Sequence, residues 1–145
     1  MDLVAEHPEH NLNDSSPRTA LEWNNELQRR QDAGEIVYEV LYGGNPVGIV
    51  GVAQATPEVA AFHGIAFLSE MHGSGVPLEA VRRVIDRIFS YTSASKISAT
   101  YHADNPRIRR FLQKLGAVDE GYLRQHIKRN GQMIDLFMIA IFKPQ

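Results

Sequence analysis

The sequence predicts an α/β (α+β) protein in which a mixed six- to seven-stranded sheet carries helices on both faces. Two observations predict this class. Helical and strand patterns follow one another in the order helix, three strands, helix, strand, helix, two strands, and such an order is typical of a layered sheet. The chain has 145 residues, 43% of them hydrophobic, which suits one domain with a sizeable core. We predict a single domain over residues 16–145, preceded by an irregular arm over residues 1–15.

The strands are predicted from β-branched, aromatic or alternating runs that end at turn residues. The predicted strands are 36–42, 47–53, 59–68, 96–101, 118–129 and 132–142. Asn130-Gly131 between the last two is a strong hairpin signal. The final strand is apolar on both faces apart from Asp135, so we expect it to lie centrally in the sheet. Gly48 and Gly51 inside the second strand indicate a bulge or a close backbone approach.

The helices are predicted from apolar residues at helical spacing and from their end signals. Ser16-Pro17 begins the first, which extends to Ala33. The second covers residues 78–89, with apolar side chains at 81, 84, 85, 88 and 89, the spacing of one buried face. Asn105-Pro106 begins the third and Gly116 ends it. Its buried stripe is predicted to be Ile108, Phe111, Leu112 and Leu115.

A glycine-bearing turn joins the third strand to the second helix, and its sequence is His72-Gly73-Ser74-Gly75-Val76-Pro77. Two glycines allow backbone N–H groups to approach a ligand closely, and a helix start adds about half a positive charge. The turn therefore has the chemistry of an anion cradle. The same residues also suit a turn that merely packs a helix on a sheet.

Composition and charge exclude several functions. Without cysteine, the chain has neither disulfides nor thiolate chemistry. His7 and His10 have no third ligand at metal spacing, so no metal is expected. No apolar run approaches the roughly 20 residues of a membrane span.

Charge is distributed unevenly along the chain. Residues 1–40 hold nine acidic and three basic residues, whereas residues 105–130 hold seven basic and two acidic residues. This asymmetry favours an anionic ligand near the C-terminal half and a cationic one near the N-terminal half, although two solvated faces also fit. Nucleic-acid binding is not expected, because the lysine and arginine side chains are not interleaved with exposed aromatic side chains.

Three motifs in this order resemble the GNAT superfamily of acyl-coenzyme A-dependent N-acyltransferases. The first is the glycine turn 72–77, which stands where the family has its Arg/Gln-x-x-Gly-x-Gly/Ala signature and resembles it, with His72 and Pro77 as departures. The second is the segment 105–117, similar to the family's asparagine, short helix and closing Lys-x-Gly-Phe. The third combines Glu120-Gly121-Tyr122-Leu123-Arg124 with Asn130-Gly131 and Asp135. The likeness is greatest to the Rim-type ribosomal-protein N-acetyltransferases, and it extends to short GNAT-like proteins of tailed phages.

The resemblance implies acetyl-CoA as co-substrate, bound in a V-shaped gap between two splayed strands, and no metal. Asn105 would contact the pantetheine arm and also cap its helix. Arg107 and Arg110 would either assist the nucleotide phosphate or form a solvated helix face. His72 replaces the family's arginine or glutamine, which removes a permanent charge, and Pro77 removes an N–H donor. The implied cofactor-binding residues are Phe67, Leu68, His72, Gly73, Ser74, Gly75, Val76, Asn105 and Arg110.

The positions that the resemblance assigns to catalysis are altered in this chain. The family's glutamate on the strand before the cradle falls near Ala61 and Phe62, and its tyrosine general acid falls on Leu112. Acetylation of an amine requires the amine to lose a proton. We predict His63 as the base and Glu70 as the second candidate. The alternative for His63 is a structural histidine hydrogen-bonded under the sheet, and Asp135 is expected to support a turn.

The resemblance therefore predicts an N-acetyltransferase that moves an acetyl group to a primary amine by direct attack. The acceptor would be an amine-bearing small molecule or a protein N-terminus, and the protein would be cytoplasmic. The alternative is a catalytically inactive GNAT-fold binding or assembly protein, for example a phage virion or head-associated component. The altered catalytic positions, Pro77 and an N-terminal region shorter than the family's motivate it. A homo-oligomer or assembly partner would complete that region.

Overall fold

The computed structural model describes Asp32 and residues 34–145. The elements within this range are β1 Ile36–Tyr42, β2 Asn45–Thr56, β3 Val59–Phe67, a 3-10 turn Ser69–Met71, α1 Val76–Tyr91, β4 Lys96–His102, α2 Pro106–Lys114, β5 Val118–Arg129 and β6 Gln132–Phe142. The bounds of β1, β5 and β6 agree with the prediction, whereas β2 is longer and β3 ends one residue earlier than expected. The predicted arm, the domain boundary and the helix over 16–33 lie outside the described residues, except for Asp32, which is helical.

Within the described residues the sheet has six strands in the order β1-β2-β3-β4-β6-β5. β3 and β4 are parallel and all other neighbours are antiparallel, so the sheet is mixed, as predicted. The parallel pair requires a crossover connection, which α1 provides. β6 pairs with both β4 and β5, which confirms that this apolar strand lies inside the sheet.

The two described helices bury the faces that their spacing predicts. α2 buries Ile108 and Leu112, while Phe111 and Leu115 pack partly buried against the same core. Arg82 Nη2 donates to the carbonyl oxygen of Lys114 at 3.1 Å, so α1 and α2 are neighbours. The buried residues of α1 are Pro77, Ala80, Val81, Val84, Ile85, Ile88 and Phe89. The prediction of helices on both faces of the sheet also involves the helix over 16–33, which lies outside the described residues except for Asp32.

Both strand glycines of β2 lie where the backbone is irregular or closely approached. A Cβ on Gly48 would stand 2.3 Å from Cδ1 of Phe67, so the aromatic ring occupies the space of the missing side chain. Gly51 lies opposite a bulge, because the pairing of β2 with β3 shifts register between Val50 and Val52. His63 and Gly64 of β3 together lie opposite Gly51, which makes one extra residue in β3, and Gly64 has φ +110°. The bulge therefore falls on the candidate base.

Asp135 supports an irregularity inside β5, whereas the sequence led us to expect that it would support a turn. The pairing of β5 with β6 shifts register between Leu123 and Ile127, and Gln125 in this segment has φ +50°. Asp135 Oδ1 accepts a hydrogen bond from the Gln125 amide at 2.7 Å, and its Oδ2 accepts one from the Tyr122 hydroxyl. The carboxylate thus ties the distorted stretch of β5 to β6.

Replacing Tyr122 with phenylalanine should raise the pKa of Asp135. The Tyr122 hydroxyl is the largest cause that lowers the pKa of this carboxyl, and the Gln125 amide adds to it; the same bond raises the pKa of Tyr122. A lowered pKa in the folded state stabilises the fold above the ordinary carboxyl pKa, and this stabilisation is lost as pH falls below about 4. Carboxyl ¹³C shifts across an acid titration measure the change. An unchanged pKa of Asp135 in Tyr122→Phe would contradict the assigned cause.

Candidate functional site

β3 and β4 separate at the end of the sheet where the glycine turn begins. Within the described strands, their pairing is confined to Val59–Ala61 with Lys96–Ser98. β3 then continues to Phe67 and β4 to His102, so the two strands run on without pairing. The resulting gap lies toward the carboxyl ends of the two parallel strands, which is where ligands bind in sheets of this kind.

The glycine turn after β3 is open on the side of its two glycines. Gly73 has φ +81° and Gly75 has φ +80°, a left-handed conformation that glycine adopts without strain. A Cβ at either position would meet no heavy atom within 4 Å. No described residue accepts a hydrogen bond from either glycine's amide. Both amides are therefore available to a ligand at the start of α1.

Ser74 holds the turn together from within. Its amide donates to the carbonyl oxygen of Met71 at 3.1 Å, and its hydroxyl donates to the same oxygen at 2.7 Å. The hydroxyl also accepts a bond from the Val76 amide at 3.3 Å. The amide of His72 donates to the carbonyl oxygen of Ser69. These bonds shape the turn. They also occupy the amides of His72, Ser74 and Val76, which the sequence analysis predicted to bind the ligand.

Asn105 caps α2, and the cap sets where the basic face of this helix begins. Its side-chain oxygen accepts a bond from the Ile108 amide at 3.4 Å, and Pro106 occupies the first helical turn. This confirms the predicted N-cap. Arg107, Arg110 and Lys114 then follow at helical spacing, so they share a face of α2.

A cavity of about 400 Å³ lies between the glycine turn and α2. Its walls combine the turn, the end of β3 and the basic face of α2, so they present backbone amides, cations and aromatic rings together. The lining residues are Phe67, His72, Gly73, Gly75, Pro77, Leu78, Arg107, Arg110, Phe111 and Lys114. This set suits an anion that carries an extended, partly apolar group.

Arg107 restores a cation beside the altered position of the turn. Its Nη1 lies 3.0 Å from Nδ1 of His72. Because a guanidinium can only donate, Nδ1 is the acceptor in this bond. Arg107 of α2 thus supplies a permanent positive charge next to His72, which lacks one. Arg107 is exposed and also contacts the turn, so a position on the solvated face of α2 and a role beside the phosphate site are both compatible with this geometry.

Some of the predicted cofactor residues meet in the cavity and others do not. Phe67, His72, Gly73, Gly75 and Arg110 line it. Leu68, Ser74, Val76 and Asn105 are not among its walls, and the amide of Leu68 donates to Val47 in β2. Sequence reasoning missed Lys114 and Phe111 as walls. The 107, 110, 114 spacing of cations was the signal that could have placed Lys114 beside Arg110.

The two candidate bases lie outside the cavity walls. His63 is about half exposed, and its Nδ1 lies 2.9 Å from Oε1 of Glu35. It follows Ala61, the last residue of β3 that pairs with β4, by two positions, so it lies where the gap opens. Glu70 is exposed on the 3-10 turn. Sequence reasoning did not find Glu35, because 28 residues separate it from His63.

The aromatic residues of β4 and β5 pack as strand aromatics. Tyr101 stacks on Phe137 with ring centroids 5.0 Å apart, and Tyr122 meets the same ring edge-on. Burial raises the pKa of Tyr101, so its hydroxyl stays protonated at neutral pH, and no described residue hydrogen-bonds it. Leu112, at the family's tyrosine position, is 2% exposed and belongs to the core.

No metal site is formed by the part of the chain that the structure describes, since no group of three His, Cys, Asp or Glu side chains there is arranged to hold an ion. Among the same residues, no helix is long and apolar enough to cross a membrane.

Splayed parallel strands, a glycine turn and a helix start in this order define a GNAT-type fold. The family model described as "Acetyltransferase (GNAT) domain" matches residues 2–118. The chain therefore belongs to the GNAT acetyltransferase family. Acetyltransferases of this family use acetyl-CoA as the co-substrate.

Curated relatives carry the same assignment. The chain is 32% identical over 100 residues to the uncharacterized N-acetyltransferase YoaA of Bacillus subtilis (strain 168), a match that covers 68% of this chain and 56% of YoaA. It is 37% identical over 79 residues to the probable N-acetyltransferase YjcK of the same organism, covering 54% of this chain and 44% of YjcK. The chain thus spans about half the length of these relatives.

Solved structures share the fold at low sequence identity. Spermidine N-acetyltransferase from Vibrio cholerae in complex with CoA and spermine has a TM-score of 0.74 at 20% identity, covering 91% of this chain and 79% of that one. Ribosomal-protein-alanine N-acetyltransferase from Brucella melitensis has a TM-score of 0.70 at 16% identity, covering 89% and 82%. These likenesses establish the fold.

Proposed function

We propose that this protein transfers the acetyl group of acetyl-CoA to a primary amine by direct attack of the amine on the thioester. Acetyl-CoA supplies the acyl group in an activated form, and the chain binds it, orients the amine and accepts a proton. The observation that carries the proposal is the 400 Å³ cavity in which the glycine turn faces the cations of α2.

The cavity walls fit the anionic part of coenzyme A. The open sides of Gly73 and Gly75 leave room for close approach, and their amides are not used by other described residues. Helix-start amides of this kind bind phosphate well. Arg107, Arg110 and Lys114 add charge-assisted bonds to phosphate oxygens. The pyrophosphate would lie on the glycines and the nucleotide phosphate on the cations.

The gap between β3 and β4 suits the rest of the reaction. Beyond Ala61, the edge of β3 that faces β4 is not paired with it, so its backbone groups are available to a pantetheine arm. Backbone amides of β3 would also stabilise the negative charge that develops on the acyl oxygen. His63, at the opening of this gap, would take the amine's proton, with Glu70 as the second candidate.

The proposed acceptor is a primary amine of a small molecule or of a protein N-terminus. The structural neighbours include, by their names, enzymes acting on spermidine and on a ribosomal protein. The acidic bias of residues 1–40 favours a cationic acceptor. None of the relatives described above is named as an assembly protein, so the proposal is the enzyme.

Calorimetric titration with acetyl-CoA, followed by turnover assays on a panel of polyamines, aminoalkyl compounds and peptide N-termini, tests the proposal. We expect saturable binding and release of free thiol with at least one amine. Binding without turnover on any amine would contradict catalysis and favour the binding-protein alternative. No binding at millimolar acetyl-CoA would contradict both the cofactor assignment and the activity.

Replacing Arg107 or Arg110 with alanine should weaken acetyl-CoA binding. One hydrogen bond to a charged group is worth about 1.5–3 kcal/mol, so the Kd should rise roughly ten- to a hundredfold for each residue. Arg83→Ala is the matched control, because Arg83 lies exposed on α1 and pairs with Glu79. Titration calorimetry of the three variants measures the effect. An unchanged Kd in both cavity variants would remove the basic face of α2 from the site.

A further inference from the structure

Glu35 and His63 form a carboxylate–imidazole pair at the opening of the gap. Glu35 immediately precedes β1, and the register Ile36 to Val52 and Val52 to Phe62 brings it across β2 to the bulge of β3. Its Oε1 lies 2.9 Å from Nδ1 of His63. The Glu35 side chain is 16% exposed and the His63 side chain 48%. The carboxylate is therefore held inside the fold while the ring extends toward solvent.

The direction of this hydrogen bond fixes the tautomer of the ring. An ionised carboxylate only accepts, so Nδ1 of His63 carries a proton, and when the ring is neutral the lone pair lies on Nε2. The other oxygen of Glu35, Oε2, is buried and has no partner among the described residues. Among the described residues, His63 is thus the partner of the Glu35 carboxylate.

The bulge places this ring at the gap. At the register shift His63 and Gly64 of β3 lie opposite the single residue Gly51 of β2, and bulges next to active sites commonly redirect a side chain. The pairing of β3 with β4 ends at Ala61. Phe67, a cavity wall, lies four residues further along β3, or about 13 Å at strand spacing. The ring therefore lies at the opposite end of the gap from the anion cavity.

We propose that Glu35 is a positioning residue that presents Nε2 of His63 to the attacking amine and stabilises the imidazolium that forms. This inference rests on the proposed function. As the amine nitrogen forms the new N–C bond and the C–S bond breaks, one proton moves from that nitrogen to Nε2. The released thiolate takes a proton from solvent, and His63 later returns its proton to solvent. Glu35 stays ionised throughout.

The test combines a spectroscopic and a kinetic measurement on the full chain. Long-range ¹H–¹⁵N spectra distinguish a ring protonated on Nδ1 from one protonated on Nε2. Wild-type His63 should show the Nδ1–H form. Glu35→Ala should shift it toward the Nε2–H form that imidazole prefers in water, and should lower kcat at least tenfold with the KM for acetyl-CoA unchanged. Glu35→Gln offers an oxygen acceptor without charge, so it should keep the tautomer and lose part of kcat. Asp86→Asn, an exposed carboxylate on α1, should change neither.

Each result decides the proposal. A wild-type ring in the Nε2–H form, or a Glu35→Ala protein with unchanged kcat, would overturn the role of Glu35 even if the enzyme is active. If Glu35→Ala does not fold, Glu35→Gln carries the test, and wild-type kcat in that variant would overturn the charge stabilisation. A wild-type protein that binds acetyl-CoA but acetylates no amine overturns the proposed function and this role with it. Activity lost in His63→Ala but retained in Glu35→Ala overturns only the positioning role.

Discussion

Replacing Gly73 with alanine is expected to raise the Kd for acetyl-CoA at least tenfold while the chain remains folded. Gly73 has φ +81°, and a Cβ there would meet no heavy atom of the protein within 4 Å. The methyl group would therefore not clash inside the protein. It would instead occupy the open side of the turn that lines the cavity, where a phosphate must approach the backbone closely. A tenfold loss corresponds to about 1.4 kcal/mol.

Gly44 provides a matched control for this substitution. It lies in the turn between β1 and β2, has φ +83°, and also has no heavy atom within 4 Å of an added Cβ. It is not a wall of the cavity. Alanine in the left-handed region costs about 1–2 kcal/mol, so Gly44→Ala and Gly73→Ala should lose similar stability in urea. The Kd for acetyl-CoA should change only in Gly73→Ala.

The comparison separates backbone strain from ligand contact. If both variants bind acetyl-CoA like the wild type, the turn is not the phosphate site. If both bind more weakly in proportion to their loss of stability, the effect comes from strain in the fold. Calorimetric Kd values and urea midpoints for the three proteins are the measurements needed.

The strands and helices were largely predictable, because local signals determine them. The Asn130-Gly131 turn and the strand-forming runs on either side of it predicted the bounds of β5 and β6. β2 proved longer than predicted. The sequence pattern did not include Asn45 at its start or Gln54 and Thr56 at its end, because these residues are polar and exposed. Pairing with β1 and β3 carries the strand through these residues, and pairing partners are not visible in a local pattern.

The candidate site was predictable in its glycine turn and less so in its other parts. The left-handed glycines follow from the sequence of the turn. That Arg107 reaches His72 depends on how α2 docks beside α1, a packing that the Arg82 to Lys114 bond records. Periodicity showed which residues share a face of α2, but not which surface that face meets.

The Glu35–His63 pair was not predictable for a related reason. The two residues are 28 positions apart and meet only because β1, β2 and β3 form consecutive antiparallel pairs. A one-residue bulge reverses the face of every later side chain. Since the sequence indicated a bulge near Gly51 without its register, it left open which face of the sheet His63 would occupy.

Gly48→Ala is expected to lower the free energy of unfolding by about 1–3 kcal/mol. The added Cβ would stand 2.3 Å from Cδ1 and 2.6 Å from Cε1 of Phe67, and 2.7 Å from the carbonyl oxygen of Ala66. These distances are too short to tolerate. Phe67 is 1% exposed, so its ring has no solvent to move into, and the Ala66 oxygen belongs to the backbone of β3.

Gly121→Ala is the matched control, because Gly121 is also a strand glycine without positive φ. Its added Cβ would lie 3.6 Å from the nearest heavy atom, Sδ of Met138, which is ordinary contact. We expect its stability to change by no more than about 0.5 kcal/mol. Urea unfolding at constant m-value measures both variants. Equal midpoints for Gly48→Ala and Gly121→Ala would contradict the close approach of Phe67 to β2.

A second substitution identifies the clash as the cause. Phe67→Leu alone should destabilise the core by removing buried ring atoms. In the double variant the shortened side chain leaves room for the Gly48→Ala methyl, so the combined loss should be smaller than the sum of the single losses. Because Phe67 also lines the cavity, Gly48→Ala should weaken acetyl-CoA binding as well. Additive losses would mean that the Ala66 backbone, and not the ring, sets the requirement for glycine at position 48.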